Sequence, residues 1–219
     1  MESTFQAGAR FDGYDLAKYL VDNYIRKNKL EVNKRIQVLP VGGYDNTLAL
    51  HQNFIEEQVL NAQTHILSIL DGDVESLVRD KRNKDHMWNF VPDDCIMFLP
   101  VKSLEKMLKS KLFDEKDYDF IRKLRDTFYR FETDIEWYEI EYKENIQNKQ
   151  SEDRKKGKSV LEEKQYFSNG KNLFSILESK AIQTYSWSKS EFRKELCSFV
   201  IENCSFVQFE EELQKKTGW

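Results

Sequence analysis

The sequence predicts an α/β protein: a mostly parallel four-stranded sheet flanked by helices, with a helical insertion and C-terminal helices. Apolar runs typical of strands alternate with amphipathic helical segments through the first half of the chain. One run, His65–Leu70, ends at Asp71-Gly72-Asp73, which we call the DGD turn. Because this run is short, nearly continuous and without helical spacing, it indicates a strand buried on both faces, as in parallel sheets.

The elements before this strand follow from the same patterns. A first strand is predicted over residues 3–5, followed by a helix in which Leu16, Leu20 and Tyr24 share one face. A second strand covers residues 35–41 and ends at Gly42-Gly43. Two glycines after a strand suit a tight turn or the close approach of a ligand to the backbone.

The remaining elements complete the alternation. Asp45 or Asn46 can cap a helix between the second strand and the strand that carries the DGD turn. After the DGD turn we expect a loop, a fourth strand over residues 95–100 and a helix that begins at Ser103. Strands that alternate with helices in this way are typical of parallel sheets.

Three segments divide the chain. Residues 1–113 form the predicted core, and residues 114–165 form a charged helical insertion. Residues 166–219 carry a Gly170-Lys171 pair and C-terminal helices that complete the core. Near the end of the insertion, the charge-rich residues 151–158 predict a mobile basic elbow.

The composition restricts the function. The chain has 219 residues, 40% of them hydrophobic, which is sufficient for a packed core, and its net charge is −4. This charge argues against a protein that coats nucleic acid through bulk charge, although a local basic rim is compatible with it. No apolar run has membrane-spanning length, no signal pattern is present, and the three cysteines lack metal-site spacing. We therefore expect a cytoplasmic protein with no membrane association.

The DGD turn places two carboxylates at the carboxyl end of a predicted buried strand. Ligands of open α/β sheets bind at this end of the strands. The two acids repel each other unless a cation lies between them, and oxygen ligands suit Mg²⁺ or Mn²⁺. The alternative is an Asx-type turn that closes a strand, which is the better interpretation of an isolated Asp-x-Asp pattern.

Four features occur in a fixed order: the turn after the first strand, Gly42-Gly43, the DGD turn and Gly170-Lys171. Together with Leu99-Pro100 and Leu104-Glu105, this arrangement resembles the topoisomerase–primase (TOPRIM) domain. It is similar to the version found in the overcoming-lysogenization-defect (OLD) class and in PARIS-type single-domain effectors of ATPase-paired anti-phage defence systems. The resemblance covers roughly the first half of the chain and the region of Gly170-Lys171.

The resemblance implies a TOPRIM-like sheet and a metal-dependent endonuclease that hydrolyses DNA or a structured RNA such as tRNA. Asp71 and Asp73 would bind Mg²⁺ or Mn²⁺ together with a glutamate at the tip of the first strand. Glu105 would be a further ligand or the general base, and Lys171 would stabilise the charge of the transition state. For Lys171 the alternative is that Asn-Gly-Lys simply turns the chain before a helix.

The chain departs from this pattern at Gln6, which occupies the position of the first-strand glutamate. Glutamine is isosteric with glutamate but neutral, so it coordinates a hard cation weakly and cannot act as a base. Gln6 is either an engineered substitution that traps an inactive complex or a natural variant with weakened catalysis. Alternatively, Glu2 or Asp12 supplies the carboxylate. We favour the first explanation, because a change of one atom at the pivotal position is typical of a trapping substitution.

Residues near the predicted site are candidate substrate ligands: Gly42, Gly43, Lys81, Arg82 and Lys102. A solvated surface is an equally good interpretation of the basic residues among them. The chain has no GxxxxGK[ST] motif and thus no ATPase activity of its own, and the resemblance implies an ATPase partner.

The expected partners are therefore a nucleic-acid substrate and an ATPase, and a homodimer is left open. The predicted function is that of a toxic nuclease effector in anti-phage defence. The alternative is a non-catalytic TOPRIM-fold binding or regulatory subunit of an ATPase complex. A third interpretation is a signalling domain whose DGD turn forms an acidic, receiver-like pocket.

Overall fold

The computed structural model describes residues 3–7, 16–30, 36–60, 64–129, 137–158 and 170–218, with the main chain alone described for residues 3–7 and 137–141. Among these residues, no helix combines the length and the apolar character that a membrane span requires. The strands and α-helices of these ranges are, in chain order, β1 (Ser3–Ala7), α1 (Leu16–Lys27), β2 (Ile36–Pro40), α2 (Tyr44–Glu56), β3 (His65–Leu70), α3 (Glu75–Asp85), β4 (Ile96–Phe98), α4 (Leu104–Lys109), α5 (Tyr118–Phe128), α6 (Trp137–Lys155), α7 (Lys171–Tyr185), α8 (Lys189–Asn203) and α9 (Val207–Thr217).

The strands pair in parallel in the order β2-β1-β3-β4. β1 lies between β2 and β3, with Gln6 level with Leu39 on one side and with Ser68 on the other. Because connections between parallel strands are right-handed, α1 lies on one face of this sheet and α2 and α3 lie on the other. The predicted α/β class and parallel pairing are confirmed, and the TOPRIM-like character of the sheet stays a prediction.

Residues 75–85 form helix α3, whereas the sequence analysis predicted a loop between the DGD turn and the fourth strand. Val78 is the one buried residue of α3, so this segment lacks the apolar stripe by which helices are predicted. Ion pairs between residues four apart, Glu75–Arg79 and Asp80–Lys84, support the helix instead. The helix provides the crossover that two parallel strands require.

Gly43, and not Asp45 or Asn46, caps helix α2. The backbone of Gly43 has a φ of +75°, which glycine adopts at far lower cost than other residues. Its carbonyl oxygen accepts hydrogen bonds from the backbone N–H and the hydroxyl of Thr47, at 3.1 and 2.9 Å. The turn at the end of β2 therefore explains why glycine occupies this position.

The basic elbow predicted at residues 151–158 is wrong for residues 151–155, which continue helix α6. Arg154 and Lys155 lie in the last turn of α6, where positive charge stabilises the helix through its dipole. The chain turns only after this helix, at Gly157, which has a φ of +66°.

The chain divides into two compact units, Met1–Ser103 with Lys194–Trp219, and Leu104–Arg193. These boundaries differ from those of the three predicted segments, whose roles as core and insertion stay predictions. In the first unit, an ion pair of 2.8 Å between Lys27 and Glu210 joins α1 to α9. The opposite face of the sheet has a buried cluster formed with α2 and α3, made of Leu48, Leu70, Val78, Trp88, Val91 and Ile96.

The second unit has an aromatic core of its own. The ring of Phe128 packs edge-on against the rings of Trp187 and Phe192, and Phe174 packs against Phe192. The hydroxyl of the buried Tyr129 donates a hydrogen bond of 2.9 Å to the carbonyl of Leu177, which joins the end of α5 to α7. The buried residues of α5 recur at helical spacing: Phe120, Ile121, Leu124 and Phe128.

Candidate functional site

The DGD turn lies at the carboxyl end of β3, next to β1. The order of the sheet reverses between these two strands, because the chain continues from β1 to β2 on one side and from β3 to β4 on the other. Ligands of parallel α/β sheets bind outside the carboxyl ends of the strands at such a topological switch point. Asp71 and Asp73, both partly buried, therefore lie where a ligand of this sheet is expected.

The main chain at Gly72 leaves no space for a side chain. Its N–H donates to the carbonyl of Val101 at 3.0 Å, and the N–H of Asp73 donates to the carbonyl of Lys102 at 3.2 Å. A Cβ atom at Gly72 would lie 2.8 Å from the oxygen of Val101 and closer still to the oxygen of Leu99. Packing against the segment after β4 thus requires glycine here and fixes the main chain between the two aspartates.

The two aspartates have the donor chemistry of a hard-cation site. Mg²⁺ is usually bound by one or two carboxylates, with water and substrate phosphates completing the coordination. The Asp71 side chain forms no capping hydrogen bond to the short 3₁₀ turn that follows it. The described part of the chain contains no group of three or more His, Cys, Asp or Glu side chains that could hold a metal. A cation held by the two aspartates alone would need water or substrate oxygens to complete its coordination.

The main chain places Gln6 on the strand directly beside β3. Gln6 is level with Ser68, which precedes Asp71 by three residues, and the two parallel strands end at the same edge of the sheet. The side chain of Gln6 lies outside the described residues, as do Glu2 and Asp12. The source of a third carboxylate near the DGD turn therefore stays a prediction.

Gly42 and Gly43 follow β2 at this same edge, with β1 between them and the DGD turn. The side-chain amide of Asn46 donates to the carbonyl of Gly42 at 2.9 Å. Together with the contacts of Gly43 described above, this bond fixes the turn into α2. The role of the two glycines in substrate binding stays a prediction.

Arg82 supports the loop between α3 and β4. Its guanidinium donates to the carbonyl oxygens of Trp88 and Val91 at 3.1 and 2.8 Å, and it pairs with Asp93 at 2.9 Å. The arginine is largely buried, and its partners hold the turn in which the backbone of Trp88 adopts a φ of +54°. These contacts give Arg82 a structural role, and its predicted contact with substrate stays untested.

Lys81 joins α3 to α2. Its ammonium nitrogen lies 2.9 Å from the carboxylate of Asp45 and 5.0 Å from the centre of the Tyr44 ring. Hydrogen bonds with Tyr44 and Asp45 raise the pKa of Lys81. The predicted rim residue Lys102, in contrast, is exposed and lies beside the DGD turn through its carbonyl bond to Asp73.

Glu105 and Lys171 belong to the second unit, where the structure brings their segments together. Gly170, the N-cap of α7, has a φ of +65°, and a Cβ there would lie 2.8 Å from the carbonyl carbon of Glu105 and closer still to its oxygen. Packing on α4 therefore requires glycine at this position. Lys171 is exposed in the first turn of α7, where a cation opposes the helix dipole and gains no stability from it.

The second unit also has a polar cleft of about 300 Å³ between α6 and α7. Neutral amide and hydroxyl groups of this kind contact phosphates and base edges in nucleic-acid complexes. The first residue of α7 that lines the cleft is Asn172, which directly follows Lys171. Its lining residues are Asn145, Asn172, Ser175, Ile176, Ser179, Lys180 and Gln183.

Sequence reasoning missed a buried polar pair behind the strand of the DGD turn. The Nδ1 atom of His51, on α2, lies 2.8 Å from the hydroxyl oxygen of Ser68, on β3, and both residues are almost completely buried. Burial, and to a smaller extent the nearby His65, lowers the pKa of His51 to about 4. The pair could have been suspected because His51 lies on the apolar face of α2, but nothing in the sequence joins it to Ser68.

Comparisons with known proteins add no relative to this description. No protein-family model matches the chain, and no curated protein and no solved structure is significantly similar to it. The candidate site therefore depends on the strand order, the position of the DGD turn and the packing of Gly72.

Proposed function

We propose that this chain is a divalent-metal-dependent nuclease that hydrolyses phosphodiester bonds of DNA or of a structured RNA such as tRNA. The observation that carries the proposal is the position of Asp71 and Asp73 at the switch point of the sheet, directly beside the strand of Gln6. The order of motifs that resembles a TOPRIM domain supports it.

In this proposal Asp71 and Asp73 hold Mg²⁺ or Mn²⁺, and the close packing of Gly72 keeps their main chain in one conformation. The bound cation would polarise the phosphodiester and lower the pKa of the attacking water. Gln6 contributes no charge to such a site and cannot accept a proton, so the chain as it stands would cleave slowly. The roles that the resemblance gives to Glu105 and Lys171 are part of the same proposal.

We propose further that the nuclease acts as a toxic effector in anti-phage defence, in the cytoplasm, beside a separate ATPase. The resemblance to single-domain TOPRIM effectors supports this role, as does the absence of a nucleotide-binding GxxxxGK[ST] motif from the sequence. Expression of the Gln6→Glu form should then be toxic to bacterial cells. Expression of a Gln6→Glu/Asp71→Ala form should not be toxic.

The central experiment incubates the Gln6→Glu protein with plasmid DNA and with total RNA, with Mn²⁺ or with EDTA. We expect cleavage of one substrate that requires the metal and falls about a hundredfold or more when Asp71→Ala is added. Asp80→Ala is the matched control, because Asp80 is an exposed carboxylate of α3 paired with Lys84. Activity that survives Asp71→Ala would contradict the proposal. If Gln6→Glu gains nothing and Asp12→Ala abolishes a basal activity, the carboxylate belongs to Asp12.

The second candidate is a non-catalytic binding or regulatory subunit of an ATPase complex. The neutral side chain at residue 6 favours it, because a glutamine there is also what lost chemistry would leave behind. Binding of Mg²⁺ or Mn²⁺ by the Gln6→Glu form without cleavage of either nucleic acid would support this function over the nuclease.

A further inference from the structure

The first unit has a cleft of about 360 Å³ beside the edge strand β4. α3 lines one wall through Glu75, Arg79 and Arg82, and α9 lines the other through Gln208, Glu212 and Lys216. Ile96 and Phe98 of β4 lie between the two walls. Because α3 and α9 cover opposite faces of the sheet, the cleft is the recessed edge of the sheet itself.

The main chain of β4 exposes hydrogen-bonding groups to this cleft. Leu99 donates its N–H to the carbonyl of Leu70 at 2.8 Å. This bond shows which residues of β4 direct their main-chain groups toward β3. In a parallel pair, successive residues direct their main-chain groups to alternate sides, so the N–H and C=O of Phe98 point away from β3. Among the described residues, none outside the sheet forms a hydrogen bond with the main chain of Phe98.

We propose that this edge binds an extended segment of a partner protein, which adds a fifth strand beside β4. Strand addition of this kind gains affinity from main-chain hydrogen bonds and specificity from side-chain contacts on both faces. The residues that line the two walls would contact the side chains of such a segment on either face. The proposal concerns a protein partner and is independent of the proposed nuclease activity.

The charges of the cleft specify an acidic side chain toward the α3 wall. Arg79 is 65% exposed, and its guanidinium lies 5.9 Å from the centre of the Phe98 ring, at the cleft. Within the described part of the chain it pairs only with Glu75, one turn away on the same exposed helix face, and such surface pairs contribute little energy. A carboxylate of the bound segment can therefore recruit Arg79 at low cost.

The other charged residues of the cleft restrict the segment further. Arg82 is committed to the loop carbonyls and Asp93, and Lys216 donates to the carbonyl of Asp94 at 3.0 Å. Glu212 on the α9 wall forms no ion pair with another described residue, so it repels acids on that side. The segment that fits thus alternates acidic residues, facing α3, with neutral β-formers such as threonine, facing α9.

The test uses a fluorescein-labelled hexapeptide in which threonine and glutamate alternate, added to the full chain in metal-free buffer. We expect saturable binding at millimolar peptide, measured by anisotropy, with a shift of the Phe98 amide resonance. The same peptide with N-methylated amides should not bind, because it lacks the donors for strand pairing. Equal binding of the two peptides, or no binding by either, would overturn the proposal.

Two variants locate the site. Arg79→Glu should weaken binding of the threonine–glutamate peptide by about tenfold or more, because it replaces attraction with repulsion. Lys84→Glu makes the same change of charge on α3 outside the cleft and should leave binding within about twofold. Equal effects of Arg79→Glu and Lys84→Glu would contradict the assignment. None of these assays depends on nucleic acid, so their failure leaves the nuclease proposal intact.

Discussion

The Nδ1 atom of His51 lies 2.8 Å from the hydroxyl oxygen of Ser68, and the two side chains join α2 to the strand that ends at the DGD turn. His51 has a pKa of about 4 in the folded chain, chiefly because of its burial, against an ordinary value of 6.5. Between pH 4 and pH 6.5, His51 is protonated in the unfolded chain but mostly neutral in the folded chain, so lowering the pH favours unfolding. The stability of the first unit is thus coupled to pH through the strand that carries Asp71.

We expect the free energy of unfolding to fall by about 2 kcal/mol between pH 7.5 and pH 5.0 because of His51 alone. The sign follows because the unfolded chain binds a proton below pH 6.5 that the folded chain does not bind above about pH 4. Below pH 4 this contribution stops changing. Urea unfolding at the two pH values measures the loss.

His51→Gln separates this contribution from that of other groups, because glutamine can still bond to Ser68 but does not titrate. The loss of stability between the two pH values should be smaller in this variant by about 2 kcal/mol. His86→Gln, at an exposed histidine, is the control and should leave the loss unchanged. An unaltered pH dependence in His51→Gln would show that His51 is not the responsible group.

Gly72→Ala should destabilise the protein by about 2–4 kcal/mol, because the added Cβ would overlap the carbonyl oxygens of Leu99 and Val101. Gly157→Ala is the comparison: no atom of the described residues lies within 4 Å of its added Cβ, and its φ of +66° costs only about 1 kcal/mol. Denaturant titration of both variants measures the difference. Equal losses in the two variants would contradict the close packing at Gly72.

The parts of the fold that the sequence predicted are those with a regular apolar pattern. The nearly continuous run of β3 and the shared face of Leu16, Leu20 and Tyr24 on α1 are buried as expected. Helix α3 was missed because ion pairs along the chain support it and Val78 alone anchors it. A search for apolar residues at helical spacing does not detect a helix that is stabilised by ion pairs.

The candidate site was predictable only in part, for a similar reason. The sequence places two acids after a buried strand, but strand order depends on pairing between distant segments, so the switch point is not visible in it. The structure packs Gly72 and Gly170 each against a backbone carbonyl far along the chain, which the sequence does not indicate. A glycine needed for such packing and a glycine needed for a ligand have the same sequence signature.

Asp71→Ala should remove the binding of Mg²⁺ that the proposal assigns to Asp71 and Asp73. Mg²⁺ should stabilise the parent chain against urea and should not stabilise Asp71→Ala, since a ligand stabilises only the state that binds it. Unfolding curves in EDTA and in excess Mg²⁺ provide the measurement. Asp80→Ala is the control and should keep the effect of Mg²⁺. Stabilisation of Asp71→Ala equal to that of the parent would place the cation elsewhere.

Gly170→Ala tests the packing that joins Glu105 to the start of α7. Gly170 and Gly218 both have a φ of +65°, so alanine costs about 1 kcal/mol at each through the backbone alone. At Gly218 the added Cβ meets no atom within 4 Å among the residues that the structure describes, whereas at Gly170 it overlaps the carbonyl of Glu105.

The unfolding free energy of Gly170→Ala should therefore be lower than that of Gly218→Ala by a further 2 kcal/mol or so. Because the conformational term is the same at the two positions, the difference between the variants isolates the close approach to Glu105. Losses that agree within error would mean that α4 and α7 separate without cost, and the contact between the segments of Glu105 and Lys171 would then not hold in solution.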